Sequence, residues 1–477
     1  MIEAESTVAS AAGTGSVARA QPGPEEPMAS VPPQPKTVRD TGLEPGLIAE
    51  LVIKAMYAIG KTHLPILTGK LRLSVNVLRE VLDMILAEQL AEVAGRGDSD
   101  LDVHYQLTAG GRLRAHEYLA RCRYVGPAPV TLQAYREVAA RQAGRHAGAA
   151  RPGAAELAAA FADDALDPAL RELLGAALQS SRSLLLYGPS GSGKTTLARK
   201  LGRLQQGVVA VPYALLVDQE IVQFHDPLLH LPPSPLQGRP PEDRRSADAR
   251  WSLCQRPLVQ VGAELSAEML DLRHDPAGGV YHAPPHVMAS GGMLVVDDLG
   301  RQRLPAAELL NRWAGPLEAG VDQLTLHGGH KVTLPFDVTV VFATNLAPHL
   351  LLDDSFLRRL AYKIHVGALS EANYRALFRH QCRVARIAFD EPALDHLIAR
   401  LHLPSGRALL ASTPRELLGR IADFAAYAGA APRLTVAALE QAWISMFAGC
   451  GGGASAPAQP PAPFDAAGGH PLFERIS

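Results

Sequence analysis

The chain has 477 residues, and this length predicts two or three domains rather than a single core. Its formal net charge is -2, so no overall field would draw it to nucleic acid or to an acidic membrane. The four cysteines lie far apart without a C-x-x-C spacing, which fits neither a disulfide framework nor a zinc site. No leader-like pattern opens the sequence, and no apolar run approaches the roughly 20 residues that span a bilayer, so we expect a cytoplasmic protein without membrane contact.

Both ends of the sequence predict disordered tails. Residues 1–40 and 449–477 are rich in alanine, glycine and proline and contain few large apolar side chains. Such segments bury too little apolar surface to offset the entropy of ordering. A third soft stretch, residues 143–153, follows an amphipathic segment, so residues 126–155 are expected to form a helix and a linker between two folded parts.

The first folded part, residues 42–125, is predicted to contain three helices followed by a β-hairpin. Apolar residues recur at helical spacing through its first half, and two short alternating runs, 90–93 and 103–107, flank a polar tip. Helices followed by a hairpin are the pattern of a winged helix. Residues 105–112 resemble the strand-to-helix exit of bacterial winged helix-turn-helix regulators.

The charge of this winged-helix-like domain leaves DNA binding open. The candidate recognition helix, residues 74–87, offers Asn76 and Arg79 but also two acidic side chains, and residues 44–123 hold ten basic and ten acidic residues. Because a DNA reader usually presents a basic face, contact with a protein or a spacer role is favoured. Four arginines keep DNA as an alternative: Arg112, Arg114, Arg121 and Arg123.

A glycine-rich loop follows a short apolar run in the second part of the chain. Residues 183–187 predict a strand, residues 188–195 read GPSGSGKT, and a helix begins near Lys194. The glycines let backbone N–H groups surround a phosphate. Lys194 would contact the β- and γ-phosphates of ATP, and Thr195 would bind Mg²⁺ through its hydroxyl. The predicted nucleotide-binding residues of this loop are Gly188, Pro189, Ser190, Gly191, Ser192, Gly193, Lys194, Thr195 and Thr196.

Four apolar residues that end in two aspartates predict a buried strand with a metal-binding end. They are residues 293–296, followed by Asp297 and Asp298. Asp297 is the expected magnesium-side carboxylate. Asp298 stands where P-loop ATPases most often have a glutamate that orients the attacking water. Because aspartate is about one methylene shorter, Asp298 acts directly, through a displaced water, or as a slow substitute.

These motifs resemble those of the AAA+ ATPases. The resemblance implies an α/β ATPase domain at residues 156–366 and a helical lid at residues 367–448. It also implies that Asn345, at the end of the apolar run 339–344, is the sensor residue that lies between the two carboxylates and the γ-phosphate. The cofactors implied are ATP and Mg²⁺.

Two further arginine positions carry the same resemblance. Residues 353–359 are similar to the segment with the arginine finger, which reaches the γ-phosphate of the neighbouring subunit, and the register favours Arg359 over Arg358. Arg415, after Thr413 and Pro414, resembles the second sensor of the lid, although a helix start with proline explains the same residues. Because a finger acts in trans, the resemblance implies a head-to-tail ring with a hexamer as the expected size.

Two stretches depart from the common core. Alternating runs around Gly328 and Gly329 predict a β-hairpin before the sensor strand, similar to the hairpin that faces the central pore and touches the substrate in the enhancer-binding and chelatase-like branches. The polar segment 228–250 predicts a mobile insertion. His225, Asp226, His282 and His286 near it could suggest a metal site, but their spacing is irregular, so the histidines are expected on the surface.

The sequence therefore predicts an α/β AAA+ module, a parallel sheet with helices on both faces, with a helical lid and a preceding small winged-helix α+β domain. The expected function is hydrolysis of Mg-ATP that remodels an unidentified protein client, carried out by a homo-oligomeric ring. Two alternatives stay open: a nucleotide-switched regulator that binds DNA through residues 42–125, and a scaffold that binds ATP with little hydrolysis.

Overall fold

The computed structural model describes residues 31–96, 103–143, 152–233, 246–351 and 353–447. The chain forms two compact units, Met1–Tyr374 with Leu410–Ser412, and Arg375–Leu409 with Thr413–Ser477. Predictions for residues 1–30, the hairpin tip 97–102, most of the linker, residues 234–245 and the C-terminal tail lie outside the described residues. Within the described ranges, no helix is both long and apolar enough to pass through a bilayer.

Helices and a three-stranded antiparallel sheet form the N-terminal part of the first unit. Its elements are α1 (Pro45–Ile59), β1 (Thr62–His63), α2 (Leu64–Leu71), α3 (Val75–Ala87), β2 (Ala91–Arg96), β3 (Val103–Leu107) and α4 (Ala109–Arg121). Ser74 begins α3 by accepting a hydrogen bond from the Val77 N–H at 3.5 Å, and Thr108 begins α4 in the same way with Gly111 at 3.0 Å. The three helices and the hairpin that the sequence predicts are present, with β1 as an additional short strand.

The segment 31–41 packs against this N-terminal part, whereas the sequence predicts a disordered tail up to residue 40. The Ser74 hydroxyl donates to the Pro35 carbonyl at 2.7 Å, and the Val38 N–H donates to the Glu80 carboxylate at 3.0 Å. Val38 is buried in the core that α1 and α3 share. Composition does not predict this contact, because the segment is held by one buried apolar side chain and by hydrogen bonds of its backbone rather than by many apolar side chains.

A buried ion pair fastens the same segment to the rest of the unit. The side chains of Asp248 and Arg250 are 2% and 4% exposed and lie 2.8 Å apart. The Arg250 guanidinium also donates to the carbonyls of Thr41 at 3.0 Å and Pro129 at 3.1 Å. The prediction of a mobile insertion is therefore wrong for residues 246–250. The sequence alone does not show that the charged side chain of Arg250 is buried and paired.

We expect Arg250→Met to lower the free energy of unfolding by about 3–5 kcal/mol, because Asp248 is then left buried without its partner. Urea denaturation measures the loss. The control is Arg379→Met, which breaks an exposed ion pair with Glu391 and is expected to cost far less, because water screens exposed pairs. A loss for Arg250→Met no larger than that of the control would contradict the structural role of the pair.

A mixed five-stranded sheet that the sequence does not predict fills the middle of the first unit. From edge to edge its strands are β11 (Arg273–Asp275), β12 (Val280–His282), β8 (Glu220–Gln223), β7 (Ala214–Val217) and β4 (Val130–Thr131). Helix α5 (Leu132–Gln142) packs Tyr135 and Val138 into the core beside this sheet. A two-stranded antiparallel ribbon, β6 (Val208–Pro212) with β9 (Trp251–Gln255), adds to the same core. Residues 130–142 thus form a strand and the predicted helix, both packed in this core. The bounds of the predicted helix and linker, residues 126–155, stay a prediction.

A parallel five-stranded sheet completes the first unit. Its strands, in spatial order, are β10 (Leu258–Val261), β13 (Met293–Val296), β16 (Thr339–Thr344), β5 (Leu184–Tyr187) and β17 (Tyr362–His365). Every residue of β13 and β16 is buried, as expected for strands covered on both faces. One face packs against α6 (Ala154–Ala160), α7 (Pro168–Ser180) and α8 (Lys194–Arg203), and the other against α10 (Ala306–Ala319) and α12 (Asp354–Arg359). The predicted α/β class, a parallel sheet with helices on both faces, is confirmed.

The predicted hairpin before the sensor strand consists of β14 (Val321–Thr325) and β15 (Lys331–Pro335). Its apolar side chains, Leu324, Val332 and Leu334, are buried in the core that contains α5 and the mixed sheet. Arg136 of α5 donates to the carbonyl of Thr333 at 2.6 Å. The hairpin therefore lies with one face packed on the protein, and the residues of its turn are exposed.

His286 is buried, so the expectation of a surface position is wrong for this residue. It lies in the short helix α9 (Pro285–Met288), where Trp313 and Phe336 surround its ring. Its Nε2 is 2.8 Å from the Asp322 carboxylate, which also accepts a hydrogen bond from Arg312. Burial lowers the pKa of His286, against the opposite effect of Asp322. The other two histidines, His225 and His282, are half-buried.

The second unit is helical within its described residues. Its helices are α13 (Glu371–Ala385) from Arg375 onward, α14 (Glu391–His396), a π-helical segment Leu397–His402, α15 (Leu403–Ser405), α16 (Thr413–Tyr427) and α17 (Val436–Met446). The first turn of α13 and the short helix α11 (Pro348–Leu351) belong to the first unit. Leu394, Leu417 and Leu439 are fully buried. The His402 ring packs edge-on against Trp443 at 4.8 Å between centroids. The predicted helices of residues 367–448 are therefore present, and their role as a lid stays a prediction.

Candidate functional site

The glycine-rich loop connects the end of β5 to the start of α8, as its sequence predicts. Gly188, Gly191 and Gly193 have φ values of +146°, +82° and +96°, a region that side chains strongly disfavour. A Cβ atom at Gly188 would lie 2.2 Å from the carbonyl oxygen of Val366, so only glycine fits there. The backbone thus turns tightly just before the helix N-terminus, which is the geometry that receives an anion.

Lys194 is the first residue of α8 and extends back over the loop. Its Nζ donates to the carbonyls of Gly188 at 2.9 Å and Pro189 at 2.8 Å, and to Oδ1 of Asn345 at 2.8 Å. Burial lowers the pKa of Lys194, and the nearby carboxylates of Asp298 and Asp297 oppose this effect. The loop therefore holds a cation against its own carbonyls, beside the end of the neighbouring strand β16.

Asp297 and Thr195 face each other across the site. The Thr195 hydroxyl donates to Oδ1 of Asp297 at 2.9 Å, which brings together an alcohol and a carboxylate oxygen from two separate elements. Oxygen donors of this kind are what Mg²⁺ binds in proteins, so the residues present fit the ion that the sequence implies. The structure brings the two residues predicted as metal ligands to one place.

Asp298 follows in a left-handed conformation with φ +50°, which aspartate tolerates better than most residues. Its exposed carboxylate accepts a hydrogen bond from Nδ2 of Asn345 at 2.9 Å. Asn345 thus bridges Lys194 and Asp298, because its oxygen accepts from the lysine and its nitrogen donates to the aspartate. The polar end of β16 falls between β5 and β13 because the sheet order places that strand between them.

The remaining loop residues differ in exposure. Ser192 is buried within the loop, and Pro189, Ser190 and Thr196 are exposed. The Ser192 N–H donates to the Pro189 carbonyl at 3.3 Å, which closes the turn. The contacts of these four residues fit a turn with or without a bound nucleotide, so their role in nucleotide binding stays a prediction.

The two candidate finger residues lie at the end of α12. Arg359 is held within its own chain, because its guanidinium donates to Ser355 Oγ at 3.0 Å and lies 3.4 Å from Glu318. Arg358 is exposed, and the described residues give it no hydrogen bond or ion pair. Neither arginine belongs to the group around Lys194. Both stay candidates for a role toward a second copy of the chain.

Arg415 belongs to the second unit. It is exposed in the first turn of α16, whose first residues Thr413 and Pro414 are buried. The start of a helix with proline in its first turn is therefore present, as the alternative interpretation expects. A contact of Arg415 with phosphates stays a prediction.

Sequence reasoning missed two neighbours of the site. Gln260 of β10 donates its amide N–H to Oδ2 of Asp297 at 3.0 Å. The N–H of Ser412 donates to the Gly191 carbonyl at 2.9 Å, so the short segment Leu410–Ser412 lies against the loop. No motif marks either position, and the contact of Gln260 follows only from the order of the strands.

Comparison with known families gives one match, in the helical C-terminal region. Residues 370–445 match a family described as a domain of unknown function, DUF8689. This range contains most of the helices from α13 to α17. No curated protein matches the chain.

Among solved structures, the chain is similar to NtrX from Brucella abortus in complex with ATP, with 17% sequence identity and a TM-score of 0.37. That match covers 58% of this chain and 55% of NtrX, so it spans about half the length of that protein. The chain is also similar to the RuvB Holliday junction branch migration motor of Thermotoga maritima, with 14% identity and a TM-score of 0.35. The second match covers 59% of this chain and 69% of RuvB.

Proposed function

We propose that this chain is an ATPase of the AAA+ superfamily that hydrolyses ATP with Mg²⁺ and thereby remodels a protein partner. The proposal rests on one observation: side chains of the glycine-rich loop and its helix form hydrogen bonds with residues at the ends of two strands. Lys194 and Thr195 of the loop contact Asn345 at the end of β16 and Asp297 at the end of β13. This arrangement supports the proposal, because phosphoryl transfer needs a cation, oxygens that can bind a metal ion and a carboxylate that can orient water.

Each side chain has a distinct role in this proposal. Lys194 binds the β- and γ-phosphates, and Thr195 with Asp297 would hold Mg²⁺, which neutralises charge on the phosphates when bound. Asp298 accepts a proton from the attacking water or orients it, and Asn345 keeps that carboxylate in place through its amide N–H. Arg359, or Arg358, contributes from a neighbouring subunit.

The direct test is phosphate release from ATP by the purified chain, measured with Mg²⁺ and with EDTA. Turnover that needs Mg²⁺ supports the proposal. Nucleotide binding with no measurable turnover would instead support the ATP-binding scaffold, for which the shorter Asp298 is the sequence argument.

Contact with a protein is favoured over DNA for the winged-helix-like domain because the exposed face of α3 is partly acidic. The side chains that would face a DNA groove lie at positions 76, 79, 80 and 83, which are all exposed. Two of them, Glu80 and Asp83, would repel the phosphates of DNA. The segment 31–41 also contacts this part of the domain, since the Glu80 carboxylate accepts the Val38 N–H at 3.0 Å.

We expect ATP with Mg²⁺ to promote assembly of the chain into a ring, because the finger arginine of one subunit and the γ-phosphate of the next form a shared site. Sedimentation velocity at increasing protein concentration, with ATP and Mg²⁺ or without nucleotide, measures the effect. The Asp298→Asn variant prevents turnover during the run. A monomer at every concentration with nucleotide would refute the ring.

A further inference from the structure

The Asp297 carboxylate has three hydrogen-bond donors, and one of them, Gln260, is not used by the proposed metal site. The Asp298 N–H donates to Oδ1 of this carboxylate at 3.1 Å. Oδ1 also faces the Thr195 hydroxyl, and Oδ2 accepts a hydrogen bond from Nε2 of Gln260 at 3.0 Å. Gln260 in turn accepts a hydrogen bond at its Oε1 from Nε of Arg199 at 2.7 Å. The three side chains come from β10, β13 and α8, so the chain of contacts crosses one end of the sheet.

We infer that Gln260, oriented by Arg199, is a positioning residue for Asp297 and sets the affinity of the site for Mg²⁺. The inference rests on the proposed function, since it concerns the same carboxylate. Among the described residues, the side-chain hydrogen bonds of Gln260 join it to Asp297 and Arg199, so we assign its effect to Asp297 and not to the nucleotide.

Arg199 determines which way the Gln260 amide points. A guanidinium has only N–H donors, so the amide must turn its oxygen toward Arg199. The amide nitrogen then faces Asp297, where it can only donate to the carboxylate. Without Arg199 the amide would be free to rotate, and its oxygen would repel the carboxylate in the opposite orientation.

The consequence concerns which carboxylate oxygen remains for a metal. A hydrogen bond from Gln260 occupies Oδ2 of Asp297, and its direction fixes the plane of the carboxylate. Oδ1 is then kept on the side of Thr195 and the loop. Without the amide, the carboxylate would be freer to rotate. It would then spend a smaller fraction of the time with an oxygen beside Thr195.

A merely structural role for this pair does not fit its surroundings. Gln260 and Arg199 are both exposed, so neither fills the core. The backbone of β10 is held by its parallel pairing with β13, in which Gln260 is registered with Val295. Substitution of the Gln260 side chain is therefore expected to leave the fold unchanged.

The test compares Gln260→Leu with the wild-type chain in two measurements. One is the Mg²⁺ concentration that gives half-maximal ATP hydrolysis at saturating ATP, and the other is Mn²⁺ binding to the ADP-bound chain, from the electron paramagnetic resonance signal of free Mn²⁺. Gln260→Leu should raise both midpoints by about tenfold, the lower end for loss of a residue that orients a metal ligand. ADP affinity in EDTA should stay unchanged.

The matched control is Gln106→Leu, which removes another glutamine amide that donates to an exposed carboxylate, that of Glu92. It should leave both midpoints unchanged. Arg199→Met should produce a smaller rise than Gln260→Leu, and the double variant should equal Gln260→Leu, because Arg199 acts only through the amide.

The outcomes separate this inference from the proposed function. If the wild-type chain needs Mg²⁺ for turnover but Gln260→Leu has unchanged midpoints, the inference is wrong and the proposed function stands. If ADP affinity in EDTA falls along with metal affinity, Gln260 shapes the whole site and the positioning role is refuted. If the wild-type chain neither binds Mn²⁺ with ADP nor hydrolyses ATP, the proposed function fails and the inference with it.

Discussion

Lys194→Ala is expected to abolish ATP binding or turnover while the fold stays intact. The ammonium group is the only charge that the loop itself places beside Asn345 and the two strand-end carboxylates within the described residues. Its other contacts are with the carbonyls of Gly188 and Pro189 and, at 3.4 Å, with the buried Ser192 hydroxyl, so alanine removes only one long hydrogen bond from a buried group. Binding of a fluorescent ATP analogue and phosphate release measure the effect.

The control is Arg203→Ala, which removes a positive charge from the exposed end of the same helix. It should bind and hydrolyse ATP like the wild-type chain. Circular dichroism of both variants checks that the helix content is unchanged. Full turnover in Lys194→Ala would end the assignment of this loop to a nucleotide.

Arg359→Ala is expected to keep ATP affinity near the wild-type value and to lower turnover by roughly 10³-fold, the low end for loss of an arginine finger. The guanidinium of a neighbouring subunit meets charge that grows only as the γ-phosphoryl group leaves. Its loss therefore appears in the rate and not in binding. Turnover and affinity are measured on the same preparation, at a protein concentration where assembly is established by sedimentation.

Arg358→Ala is the matched control, since it removes the adjacent arginine of the same helix, which has no hydrogen bond or ion pair among the described residues. A mixture of Arg359→Ala with Lys194→Ala sharpens the test, because some interfaces then join an intact loop to an intact finger. Partial recovery is expected if subunits exchange. A mixture that co-assembles but stays inactive would show that Arg359 acts within its own chain or is structural, and Arg358 would become the candidate.

The parts of the site that could be predicted from the sequence are those that depend on local chain order. A loop between a strand and a helix carries its geometry in its glycines, and two apolar runs that end in Asp297 and Asn345 bring those ends to one edge of a parallel sheet. Gln260 could not be predicted in this way, because its contact depends on which strand lies beside β13. The finger depends on a second copy, which no single chain can reveal.

The fold, like the site, contains features that the sequence predicts and features that it does not. The α/β class follows from fully apolar strands and amphipathic helices, and it was predicted. The mixed sheet was not predicted, because its strands are only two to four residues long and come from three separate stretches of the sequence. The buried polar groups were also missed. Arginine and histidine usually lie at the protein surface, and Arg250 and His286 are buried only because each is paired with an aspartate.

The packed face of the hairpin limits where the polypeptide can be divided. A fragment that begins at residue 156, at the start expected for the ATPase domain, would lack α5 and its cover over Leu324, Val332 and Leu334. It would expose a strip of aliphatic side chains to water and would tend to aggregate. The smallest piece that retains this core must include α5, and because Ala214 and Ile221 of the mixed sheet share a core with α1 and α3, it extends to the N-terminal helices as well. Truncation or recombination within residues 143–153 therefore separates α5 from the hairpin on which it packs, although the sequence of this stretch is typical of a linker.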